Sequence, residues 1–170
     1  MTLRSCRGSS LRHMAGGFVD GALATLPMSA FMLAAQRLGA MGQQPPERIT
    51  EAGMHAAGAD EVPRPTKKAT AVLLHFAFGG VGGAAFAAWA RRPERRIRDL
   101  LHRRRGPGHQ ALTGAVFGSM VWAASYMGWV PALGIMPPAT RDRPGRPTSM
   151  LVAHWIYGAA LGWRTASRGP

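Results

Sequence analysis

Three side chains in this sequence carry chemistry that a purely apolar helix has no use for: Asp20, His75 and His154. Asp20 lies in GFVDGALATLPMSA, where a buried charge costs about 2.5–3.5 kcal/mol at the middle of a bilayer and less near its edge. Such an acid either pairs with a nearby cation, here His13 or an arginine, or takes part in a proton or cation relay. The two histidines occur in LLHFAFGGVGG and VAHWIYGAALG, each four residues before one glycine and eight before a second. Two imidazoles at one level can hydrogen-bond neighbouring helices, through Tyr126, Ser125 or water. They can also move protons, or serve as axial ligands to one haem iron, with Gly79 and Gly158 leaving room for the porphyrin.

The elements that must position these groups follow from the distribution of charge. The chain has 170 residues and a net charge of +13, but only 17% of its residues are charged, and they cluster. Long stretches enclosed by Arg12 and Arg37, Lys68 and Arg91, Arg105 and Arg141, and Arg146 and Arg164 hold Asp20 as their one formal charge. A helix needs roughly 20 mainly apolar residues to cross a bilayer core of about 30 Å. Four spans are predicted, near 14–36, 69–90, 111–135 and 148–164, the last one short. The amino terminus, the loop 91–110 and the tail carry 13 Lys and Arg, against 8 in the two opposite loops. By the positive-inside bias both termini and the Arg-rich loop face the cytoplasm. The loop RRPERRIRDLLHRRR has no aromatic residue for base stacking, so it is read as a topology signal and not as a nucleic-acid patch. Anionic lipid headgroups near 91–105 are its natural partner.

Asp20 lies about 15 Å deeper than the histidine level, at 1.5 Å rise per residue, so the three residues are not expected to form one metal site. His75 and His154 lie seven and eight residues in from Lys68 and Arg146, at matching depth.

The duplication extends beyond the histidine motifs. GFVDG at 17–21 matches GAVFG at 114–118, LGAM at 38–41 matches LGIM at 133–136, and Pro45-Pro46 matches Pro137-Pro138. Each histidine helix follows in the same order. The chain therefore reads as two helical hairpins in parallel orientation, repeat one over about 14–90 and repeat two over about 111–164. The counterpart of Asp20 is Phe117, so the acid belongs to one half alone. Repeat one has a longer loop, in which ERITEAGMHAAGADEV can form a short extra helix. The first helix imitates a signal peptide, but as the counterpart of the third it is expected to be retained. Gly17 and Gly21, Gly79 and Gly83, Gly114 and Gly118, and Gly158 and Gly162 each share a helix face. Small residues at this spacing let helices approach closely in lipid, within one bundle or across a homodimer. Pro27 and Pro131 are expected to kink their helices, with Ser29 and Ser125 near the freed carbonyls.

The runs GALATLPMSAFMLAAQRLGAMGQQPPERIT, WVPALGIMPPAT and SMLVAHWIYGAALG resemble the YagU-like small bacterial inner-membrane proteins and related four-helix families. The resemblance implies a polytopic membrane protein; it brings no established reaction and no catalytic residue, and the Arg run at 91–105 is not typical of it.

No Gly-rich phosphate loop, nucleophile elbow, CxxC or HExxH occurs. Cys6 is single, so there is no disulfide framework. The reading is an all-α integral membrane four-helix bundle forming one domain over 1–170. It is a multi-pass protein of the bacterial inner membrane, non-enzymatic, without a required cofactor, metal or nucleic acid. Transport or proton handling through Asp20, His75 and His154, in a homo-oligomer, is the first alternative. A b-type haem protein is the second.

Overall fold

The computed structural model describes residues 3–90 and 107–168, with side chains from 11 to 90 and from 108 to 168. The Arg run at 91–105, and the headgroup contacts expected of it, lie outside the described residues. Within them all regular structure is helical: α1 (Leu3–Arg37), α2 (Pro45–Ala56), α3 (Arg64–Ala90), α4 (Pro107–Trp122, continuing through Ala123–Trp129 to Val130–Ala132) and α5 (Arg146–Ser167). Of the four expected spans, two are long and apolar enough to cross a membrane by length and composition. These are Leu11–Arg37 and Arg64–Ala90, each 27 residues, with mean hydropathy 1.5 and 1.7.

The LGAM and LGIM motifs are helix stops of one design. Gly39 and Gly134 take positive φ, 78° and 69°, a conformation open to glycine without a Cβ penalty. The residue after each glycine then donates its N–H back five positions, Ala40 to Ala35 and Ile135 to Val130, which satisfies a terminal carbonyl. The methionines that close the motifs, Met41 and Met136, turn into the core. The double prolines differ. Pro45-Pro46 opens α2, where missing N–H groups cost nothing, whereas Pro137-Pro138 lies in an irregular loop.

The expected breaks at the internal prolines take a different form. α1 runs unbroken through Pro27, and the Ser29 hydroxyl beside it is buried without a hydrogen-bond partner. In α4 the backbone widens before Pro131: the Val130 N–H reaches back five residues to Ser125, and Gly128 leaves helical geometry at φ −104°, ψ −108°. Proline cannot donate to the helix ladder, and a wider turn upstream absorbs the mismatch. Ser125 donates to the carbonyl of Val121 at 2.8 Å.

Glycine contacts hold the helices in two close pairs. A methyl group at Gly21 would run into the carbonyl oxygen of Gly79, and one at Gly83 into that of Gly17. In the second pair, Gly114 meets the carbonyl of Gly158, Gly118 that of His154, and Gly162 that of Gln110. All eight glycines are thus occupied within one chain, α1 against α3 and α4 against α5, and are not left for a homodimer face. α1 also packs on α5. α3 and α4 do not pack along their length; Phe86 and Trp89 meet Phe117 near one end, with ring centroids 5.1 and 6.3 Å apart.

Candidate functional site

The glycine contacts fix the rotation of α3 and α5, and rotation decides where the histidines point. Residues four apart share a helix face, so His75 follows Gly79 toward the interior and His154 follows Gly158. Both line a cavity of about 510 Å³ bounded by α1, α3, α4 and α5 and capped by Pro45, Pro46, Ile49 and Thr50 of α2. The longer loop of the first half therefore supplies a roof that the second half lacks. The cavity extends to the seam where α3 and α4 stand apart, past the half-exposed Leu74, Phe78, Val81 and Trp129. Its lining contains no Asp, Glu, Lys or Arg.

Neither imidazole uses the partners expected for it. His154, buried at 6% exposure, donates from Nδ1 to the Met150 carbonyl of its own helix at 2.7 Å. His75 Nε2 is enclosed and has no hydrogen-bond partner. Tyr126 is committed to Asp142 and Ser125 to its own helix. Gly79 and Gly158, expected to leave room for a porphyrin, are filled instead by Thr25 and by the backbone of Gly114. Among the described residues no three His, Cys, Asp or Glu side chains converge on one point.

Asp20 does not line the cavity. It is 1% exposed, and one carboxylate oxygen accepts from Arg164 Nε at 3.1 Å and from Arg168 Nη2 at 3.0 Å. The acid and the histidines are thus separate features. Asp20 ties α1 to the end of α5, and its counterpart Phe117 sits in the aromatic contact that ties α4 to α3.

Two features escape the sequence reading. Tyr157, 3% exposed, donates its hydroxyl to the Gly79 carbonyl at 2.6 Å, bridging α5 to α3 beside the cavity. The signal was present, since the matching residue in the first motif is Phe78, which has no hydroxyl. The second is a buried ion pair. Arg146 Nη1 meets Asp142 at 3.0 Å, Arg146 Nε donates to the Met41 carbonyl at 2.9 Å, and the Tyr126 hydroxyl donates to Asp142. Read along the sequence, Asp142 and Arg146 are ordinary loop charges.

No family model matches the chain, and comparison with curated proteins and with solved structures finds no match either.

Proposed function

We propose that the chain is a multi-pass protein of the bacterial inner membrane, built from two parallel hairpin repeats, whose non-enzymatic role is to hold an apolar molecule taken from the bilayer. The observation that carries this reading is the 510 Å³ cavity, free of formal charge and reaching the α3–α4 seam. The outward faces support it: Leu26, Leu33, Val72, Leu73, Leu112 and Val116 are all more than half exposed, apolar surface of the kind lipid covers. The paired glycine contacts and the two matching helix stops support the repeat. The same imidazoles around a haem are a weaker reading, because the lining offers no Lys or Arg to meet two propionates.

The orientation is tested by labelling. In a Cys6→Ser background, Arg141→Cys should react with an impermeant thiol reagent added to intact cells, and Gly108→Cys should not. Both positions are exposed, so access to the reagent depends on the side of the membrane alone. The opposite pattern would reverse the topology, and reaction at both or at neither would put the two loops on one side and overturn the four-span reading.

The cavity is tested by ligand-linked stability. Dodecylbenzene, a ring and tail without polar atoms, should raise the melting temperature of the purified protein saturably, by roughly 5 °C at a hundredfold excess over Kd. Ala77→Trp, which puts an indole on the lining, should melt like the parent and lose the shift. No saturable shift in the parent protein would sink the binding role.

A further inference from the structure

Most of the hydroxyl groups around the cavity already have partners within the protein. The Thr25 hydroxyl donates to the Gly21 carbonyl at 2.9 Å, Ser125 to Val121, Tyr126 to Asp142 and Tyr157 to Gly79. These hydroxyl donors are all spent on protein. Apart from Thr50 in the roof, what is left is imidazole: His75 Nε2, enclosed and unpartnered, and the second nitrogen of His154, whose Nδ1 is committed to the Met150 carbonyl. A buried polar atom without a partner is costly, and at the wall of a cavity a bound molecule that pairs with it removes that cost.

The chemistry of the two rings is complementary. A carbonyl can only accept, so His154 Nδ1 carries the proton, and in the uncharged ring Nε2 is then an acceptor. His75 Nε2 can be the donor. A neutral hydroxyl matches the chemistry of both rings, since it can donate to the His154 acceptor and accept from a His75 donor. A carboxylate or phosphate head does not fit a lining with no cation. Phe117, Tyr126, Trp129 and Tyr157 face the same space, and aromatic walls suit a flat ring. The α3–α4 seam gives an apolar tail a way out.

We propose that this cavity is a binding site for a lipid-soluble quinol, with one ring hydroxyl held between His75 and His154 and the tail leaving through the α3–α4 seam. The proposal rests on the reading of the cavity as a bilayer-facing apolar site. It concerns binding alone, and no electron or proton transfer is part of it.

The test compares decylubiquinol, kept reduced under nitrogen, with dodecylbenzene and dodecanol, using protein purified in detergent and saturable thermal shifts. Decylubiquinol should bind about tenfold more tightly than dodecylbenzene, the worth of roughly one well-placed hydrogen bond in a dry site. His75→Leu should erase that advantage, and His75→Gln, which keeps a donor, should retain part of it. The dodecylbenzene shift in each variant shows that its cavity is intact. If dodecylbenzene and decylubiquinol both fail to shift the parent, the apolar-site reading itself falls. If both bind equally, and His75→Leu changes neither, that reading stands and quinol recognition is overturned. Dodecanol binding as tightly as decylubiquinol would overturn the ring. A Soret band formed with added haemin and lost in His75→Leu would overturn the quinol in favour of haem.

Discussion

Leucine at Gly158 is expected to leave almost no folded protein. A Cβ there already meets the carbonyl and Cα atoms of the Gly114–Ala115 backbone, so the obstacle is main chain and not a side chain that can swing aside. Ordinary overpacking costs about 1–3 kcal/mol. Forcing two helices apart loses the dispersion contacts along the whole face as well, and should cost more than that range. A protein whose total stability is about 5–15 kcal/mol has little room for such a loss. Gly21→Leu should behave alike, since its Cβ would strike the Gly79 carbonyl and the Gly83 backbone across the other helix pair. Two controls separate bulk from position. Ala88→Leu falls at an exposed site on α3 and should melt like the parent. Gly53→Ala, in the last turn of α2 with nothing within 4 Å of the new methyl, should stabilise by up to about 1 kcal/mol through lowered backbone entropy. Circular dichroism melts in detergent read all four, and a Gly158→Leu protein that melts with the parent would mean the helices do not meet on these faces.

Arg146→Met should be nearly as damaging, for an electrostatic reason. Methionine fills much of the same volume but strands Asp142, whose side chain is 3% exposed, with the Tyr126 hydroxyl as its remaining side-chain partner. Breaking a buried pair from one side costs about 3–5 kcal/mol, because the uncompensated charge stays behind. The carbonyl of Met41 loses its donor too, and with it the link between the loop after α1 and the start of α5. Arg146→Lys should recover only part of the loss, since an ammonium cannot direct separate N–H groups at Asp142 and Met41 in the fork geometry of a guanidinium. Adding Asp142→Asn to Arg146→Met should recover most of it by removing the stranded charge. Unfolding titrations in a denaturing detergent would show the order: parent, double variant, single variant. A single variant as resistant as the parent would mean that the carboxylate finds water.

What could be read from the sequence is what depends on neighbours within a few turns. Glycine at every fourth residue marks the faces on which α1 meets α3 and α4 meets α5, because helix geometry alone sets that stripe. LGAM and LGIM mark helix ends because a stop needs positive φ at one residue and an N–H pointing backwards. The separation of Asp20 from the histidine level follows from the rise per residue. What could not be read depends on how α1 docks on α5. Arg164 and Arg168 reach Asp20 across 144 and 148 positions, and Arg146 reaches Met41 across 105. No local pattern distinguishes those arginines from their neighbours. The cavity was illegible for a related reason: a void is the absence of side chains from several helices at once, and no single helix records it.

The seam between α3 and α4 also has a mechanical consequence. Glycine contacts zip α1 to α3 and α4 to α5, so each hairpin is a stiff leaf, and the leaves are joined along α1 and α5. Asp20 with Arg164 and Arg168 pins that spine at one end, and Met41 with Arg146 at the other. A body packed this way is least held at the free edge, so the gap between α3 and α4 is where it would widen first. Widening the gap separates Phe117 from Phe86 and Trp89 and stretches the Tyr157–Gly79 bond, while every glycine contact stays closed. Across a bilayer the quantity conjugate to that gap is lateral pressure. In the bilayer proposed for this chain, its interior volume would then depend on how tightly the surrounding acyl chains pack.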